Sequence, residues 1–225
     1  MTAAAPGLAA VLFDMDGLLV DSEPVWTRAE VELASRLGGE FSPELKAAIV
    51  GTRLEVAVPT ILRWYDAPAT PADVDRTSGW LLARMVELFA QDLPLMPGAG
   101  ELLAACAEAG LPTALVSSSY RVLVDAVLAG GTKPAFEVTV AGDEVTHGKP
   151  HPEPWLTACA RLSVDPAQCV VLEDSPSGVT SGLAAGCAVV AVPSVPGVSF
   201  EPAPGLSVRP SLADIRLVDL QALIA

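Results

Sequence analysis

Positive charge is scarce in this chain. Lys and Arg number 13 against 27 Asp and Glu, a formal net charge of −14. Nucleic acid and anionic membrane both need a basic patch, so neither is expected as a partner. A small anionic substrate stays open, because it needs only a few local cations or a metal. Histidine is almost absent, with His147 and His151 the only two. The four cysteines, Cys106, Cys159, Cys169 and Cys187, show no CxxC spacing. A zinc site is therefore not expected, and the thiols read as buried in a reducing compartment. No apolar run approaches the ~20 residues of a spanning helix. The N-terminal "MTAAAPGLAAVLF" has no Lys or Arg ahead of its apolar residues and runs into Asp14, unlike a signal peptide. These absences lead to the expectation of a cytoplasmic protein, a monomer or weak homodimer. Internal repeats and low-complexity tracts are also missing.

What the chain does have is apolar residues, 51% of 225. That is enough for one large domain, or a core with a small insert. Short continuous apolar runs stand at 8–13, 113–116, 169–172 and 187–192. Continuous runs suit strands buried on both faces, as in a parallel sheet. Helical patterns separate them, among them "GAGELLAACAEAG", closed by Gly110, and "SGVTSGLAAG", closed by Gly186. "DPAQ" at 165–168 resembles a helix capping box. The alternation predicts an α/β, doubly wound parallel sheet of the Rossmann-like kind. From Ser22 to Leu93 the pattern is helical only. Ser42-Pro43 and Thr70-Pro71 each pair an N-cap residue with proline at the first helical position. So an all-helical domain of four helices, residues 21–93, is expected after the first strand, with residues 1–20 and 94–225 forming the α/β core. Residues 193–205 read as a Pro/Gly-rich loop.

In "VLFDMDGLLVDSEPVW" (11–26), Asp14 and Asp16 follow a buried strand, two residues apart. In extended chain both would point the same way. That strand end is where ligands bind in open α/β sheets. At ~4 Å and an effective dielectric near 20, two carboxylates repel by about 4 kcal/mol. A cation between them, or a proton on one, relieves this. "VVLEDSPSGV" (170–179) repeats the form, with Glu173 and Asp174 at a second strand end. Oxygen donors without a spare histidine suit Mg²⁺. "LVSSSY" (115–120) offers the hydroxyls and N–H groups of Ser117 and Ser118, and "GKPHPEPW" (148–155) offers Lys149. Carboxylates, a hydroxyl and a lysine are the parts phosphoryl transfer requires.

In this order the four stretches resemble the motifs of the haloacid dehalogenase-like hydrolase superfamily. The closest likeness is to its sugar-phosphatase and β-phosphoglucomutase branch, of the 2-deoxyglucose-6-phosphate phosphatase type. The helical insert is similar to that superfamily's cap. The resemblance implies a Mg²⁺-dependent phosphatase for a small phosphorylated sugar or polyol. Asp14 would be the nucleophile and Asp16 the general acid and base. Mg²⁺ would lie on Asp14, the Asp16 carbonyl and Asp174, with Glu173 in an outer role. Ser117 and the Ser118 N–H would hold phosphoryl oxygens, and Lys149 would offset charge. Arg53, beside a Gly51-centred turn in "VGTRLEV", would help select the substrate, with Glu23 and Trp26 as weaker candidates.

Rival readings meet specific obstacles. A dehalogenase lacks the second acid, Asp16. A phosphomutase carries a histidine where Trp26 stands. A non-enzymatic phospho-aspartate switch has an adjacent acid pair and no inserted cap. "GDEVTHGKP" has one residue too many for a P-loop, and Pro150 replaces its Ser/Thr.

Overall fold

The computed structural model describes residues 7–50, 52–91, 93–129, 136–195 and 197–224. It divides into two compact units: Met1–Asp21 with Pro94–Ala225, the core unit, and Ser22–Leu93, the helical unit.

The core unit carries a sheet of six strands: β1 (Ala10–Phe13), β2 (Thr113–Val116), β3 (Val138–Val140), β4 (Cys169–Glu173), β5 (Ala188–Ala191) and β6 (Leu206–Val208). All pairings are parallel, in the order β3-β2-β1-β4-β5-β6. This is the doubly wound α/β arrangement. Every residue of β1, β2 and β4 is buried, which is why Ala10–Phe13, Ala114–Val116 and Cys169–Leu172 are unbroken apolar runs, with Thr113 and Glu173 the buried polar ends. The strand order reverses beside β1, and ligands bind such sheets outside the carboxyl ends at that reversal. Phe13 stands opposite Leu115 of β2 and Leu172 of β4. The residues that follow those three strands therefore emerge along one edge.

The helical unit holds α1 (Glu23–Arg36), α2 (Pro43–Ile49), α3 (Leu54–Trp64) and α4 (Pro71–Phe89). Both serine/threonine–proline signals mark true starts. The Ser42 hydroxyl accepts from the Leu45 N–H at 3.2 Å. Thr70 and Asp73 close a reciprocal capping box at α4. Leu33, Leu45, Val58, Ile61, Leu81 and Met85 form its buried apolar set. Arg84 grips Glu32 with two nitrogens, tying α4 to α1.

The core unit's helices are α5 (Ala99–Glu108), α6 (Arg121–Ala129), α7 (Glu153–Leu162), α8 (Pro176–Ala184) and α9 (Leu217–Gln221). Trp155, Ala158 and Cys159 of α7 share a buried cluster with Leu12, Val116 and Val171 from alternate strand positions. The four thiols are buried and free, and the Sγ atoms of Cys159 and Cys169 lie 3.9 Å apart.

Three details depart from the sequence reading. Strands β3 and β6, of three residues each, went unseen because edge strands are short and half-buried. "DPAQ" opens no α-helix. It forms a 3₁₀ turn, Pro166–Gln168, with Asp165 accepting from the Ala167 N–H, because Cys169 at once enters β4. The strand after Gly186 begins at Ala188, one residue later than its apolar run. Among the described residues, no helix is long and apolar enough to cross a membrane.

Candidate active site

The site grows from three strand ends, those of β1, β2 and β4, and one loop lysine. Asp14 extends β1, its N–H donating to the Leu172 carbonyl at 3.0 Å. The chain then winds back, with the Leu19 and Val20 N–H groups both donating to the Met15 carbonyl. Gly17 makes this turn possible. Its φ is +83°, and a Cβ there would run into Asp174 Oδ2.

At the end of β4, Glu173 is completely buried. Its Oε2 accepts from the N–H and hydroxyl of Ser175, at 3.0 and 2.9 Å. Ser175 in turn caps α8, accepting from the Gly178 N–H at 3.1 Å. Gly178 has no side chain to spare: a Cβ would occupy the space of the Glu173 carboxylate.

Lys149 lies between β1 and β4. Its ammonium donates to Asp14 Oδ1, to Glu173 Oε1 at 2.6 Å and to the Val116 carbonyl at 3.1 Å. It also sits 4.4 Å from the centre of the Trp155 ring. Only 3% of its side chain is exposed. Burial opposes the ammonium, but Asp14 and Glu173 outweigh it and hold its pKa above the ordinary lysine value.

One lysine does not balance the acids. Asp14, Glu173 and Asp174 can bring one carboxylate oxygen each within 4.8 Å of one another. Burial pushes the Asp14 carboxyl well above its usual range; Lys149 opposes this, while Glu173, Asp174 and Asp16 add to it. Burial, with Glu173 next, raises Asp174 to about 7. Such a cluster is short of positive charge, and its donors are oxygens alone. A hard divalent cation such as Mg²⁺ fits that set. Glu173 is the least able to turn toward it, since Lys149 and Ser175 engage both its oxygens.

Asp16 faces the β2 end. Its Oδ2 accepts from the hydroxyls of Ser117 at 3.2 Å and Ser119 at 2.8 Å. The Ser117 oxygen accepts from the Ser119 N–H at 2.9 Å. Ser118, between them, is exposed, and its carbonyl rests against Gly142, which has no room for a Cβ.

Asp14, Asp16, Ser117, Ser118, Lys149, Glu173 and Asp174 thus all lie at or beside the carboxyl ends of the core strands. Arg53 belongs to the helical unit, where it is the exposed N-cap residue of α3. Gly51 lies outside the described residues. Glu23 is exposed at the start of α1 and pairs with Lys46, and Trp26 is half-buried. Three polar contacts escaped the sequence reading: Ser119 on Asp16, Ser175 on Glu173 and Ser194 on Asp174. Ser175-Pro176 carries the same cap signal as Ser42-Pro43 and was open to discovery. Ser194 has no local signal, being 20 positions from its partner.

Known proteins resemble this chain over most of its length. The sequence model of the haloacid dehalogenase-like hydrolase family matches residues 8–186. The chain belongs to the haloacid dehalogenase-like hydrolase family. Among members of that family it is 34% identical over 223 residues to Hexitol phosphatase B of Escherichia coli (strain K12), covering 96% of this chain and 94% of the relative. It is 35% identical to Protein CbbY of Rhodobacter capsulatus over 228 residues, 96% and 95% of the two chains. The crystal structure of CbbY from Rhodobacter sphaeroides in complex with phosphate superposes with a TM-score of 0.83, at 28% identity, over 95% of this chain and 99% of that one. This haloacid dehalogenase-like hydrolase spans those three relatives nearly end to end.

Proposed function

We propose that this phosphoric monoester hydrolase is a Mg²⁺-dependent phosphatase for a sugar or polyol phosphate, acting through an aspartyl-phosphate. The observation that carries the reading is the buried cluster in which one lysine pairs with two of three converging carboxylates, Asp14 and Glu173, and leaves Asp174 without a paired cation among the described residues. A buried charge excess of that kind is costly unless a ligand offsets it.

Asp14 is the nucleophile. Its carboxylate attacks phosphorus, the bond to the ester oxygen breaks, and the leaving alkoxide takes a proton from Asp16. Asp16 then takes a proton from water, which attacks phosphorus, releases phosphate and restores Asp14. The hydroxyls of Ser117 and Ser119 hold Asp16 Oδ2 before substrate arrives, and Oδ1 carries the proton that the alkoxide takes. The Ser117 hydroxyl and the Ser118 N–H receive phosphoryl oxygens, and Lys149 draws charge from both Asp14 and the phosphoryl group. Asp14, the Asp16 carbonyl and Asp174 would hold Mg²⁺, which would supply neutralisation of phosphoryl charge when bound. Glu173 stays in the outer role, its oxygens spent on Lys149 and Ser175. Substrate choice belongs to the helical unit, with Arg53 presenting its planar fork to phosphate or hydroxyl groups. The Hexitol phosphatase relatives put hexitol phosphates first among substrates to try.

The test is phosphate release from hexitol, sugar and nucleotide monophosphates, with Mg²⁺ and with chelator, against an Asp14→Asn blank. Turnover that needs Mg²⁺ and prefers polyol or sugar esters is expected. Full activity in excess chelator overturns the metal assignment. Conversion of a sugar phosphate to its isomer without phosphate release makes the chain a phosphomutase instead.

A further inference from the structure

We propose that Ser194 is the positioning residue that orients Asp174 toward the cation; the inference rests on the metal reading above. Asp174 stands one residue past β4, where the chain turns toward the Ser175 cap of α8. No ladder bond of the sheet fixes its side chain. Ser194 does. Its hydroxyl donates to Asp174 Oδ2 at 2.5 Å.

Ser194 is placed to do so by its backbone. The loop leaving β5 is pinned to the end of β4, the Val192 N–H donating to the Glu173 carbonyl at 2.7 Å. Pro193 then fixes φ, and Ser194 follows. Gly17 closes the third side. A Cβ at Gly17 would overlap Asp174 Oδ2 and come within 2.9 Å of Ser194 Oγ. Three segments of chain, after β1, β4 and β5, therefore meet around one carboxylate oxygen. Oδ2 is committed to a hydroxyl, and Oδ1 is the oxygen to present. Mg²⁺ demands near-octahedral geometry and binds carboxylates through single oxygens, so an Asp174 free to rotate would hold it less well. The Pro/Gly-rich loop at 193–205 thereby gains a task at its start.

The experiment measures Mn²⁺ binding to the full chain by electron paramagnetic resonance, with Mg²⁺ as competitor and no substrate present. Wild type is compared with Ser194→Ala and with the isosteric pair Ser194→Thr and Ser194→Val. Loss of the hydroxyl in the Ala and Val variants should weaken binding by about 10- to 100-fold, as removal of such ligand-orienting partners does. Ser194→Thr keeps the hydroxyl and should stay close to wild type. Thr and Val differ by one hydroxyl at equal volume, so a folding defect would lower both alike. Equal affinity in Thr and Val, or wild-type affinity in Ala, overturns the proposal. Hydroxyl-dependent metal binding in a protein that hydrolyses no phosphate ester would keep this inference and remove the phosphatase reading. Turnover with Ser194-independent affinity does the reverse.

Discussion

Lys149 in the core unit and Lys46 in the helical unit each bridge two carboxylates, yet the settings differ. Lys149 is 3% exposed and meets Asp14 and Glu173, themselves almost wholly buried. Lys46 is 22% exposed and meets Glu23 and Glu30, the former more than half in water. The Lys46–Glu23 pairing, of the second kind, contributes little because water already satisfies Glu23, whereas Glu30 is itself buried. The first kind costs desolvation that attraction alone rarely repays. Charge that a fold keeps buried at such cost, beside a third acid left unbalanced, points to binding rather than stability. The helical unit is held by its apolar set, with Arg84–Glu32 and Lys46–Glu30 tying its helices together.

The largest expected effect tests whether the buried charges react. Asp14→Asn should cut phosphate release by about 10⁴-fold or more, because the nucleophile is lost while the fold loses only charge. Rapid-quench assays on the preferred ester check this. Comparable turnover would make the core cluster structural, like its counterpart.

Next comes the lysine itself. Lys149→Met should destabilise the metal-free protein by about 3–5 kcal/mol, since Asp14 and Glu173 keep their burial and lose their partner. Added Mg²⁺ should recover part of that loss. Urea unfolding with and without Mg²⁺ measures both. A core pair as dispensable as the solvated Lys46–Glu23 would leave the midpoint unmoved.

A change inside the helical unit sharpens the contrast from the other side. Met85 is fully buried there, and Met85→Ala should cost about 2–5 kcal/mol through the cavity it leaves. Mn²⁺ affinity should not change. The smallest effect is on selectivity. Arg53→Ala should lower kcat/KM on a hexitol or sugar phosphate by about 10-fold, the worth of one charged contact, and leave a generic aryl phosphate nearly untouched. Equal small losses on both would remove Arg53 from recognition.

Much of this was legible in the residue order. Unbroken apolar runs marked β1, β2, β4 and β5, because strands buried on both faces have no polar alternate. Ser42-Pro43 and Thr70-Pro71 marked helix starts, because a cap and a first-turn proline act within four residues. Asp14, Asp16, Glu173 and Asp174 stood out as acids placed where strands end. Local chemistry leaves a local signature, and those features needed nothing else. Strands β3 and β6 left none, being three residues at the sheet edges.

Only the tertiary structure decided which of those acids meet, and what each oxygen does. Parallel register sets Phe13 beside Leu172 and so Asp14 beside Glu173, 159 positions apart by number, with Lys149 reaching both. It assigns both Glu173 oxygens, two serine hydroxyls to one oxygen of Asp16, and Ser194 to Asp174. Nothing in "PSVP" distinguishes Ser194 from any loop serine. Hydrogen bonds act over three ångströms, and which residues come that close is settled by how the strands stack, not by how the chain is written.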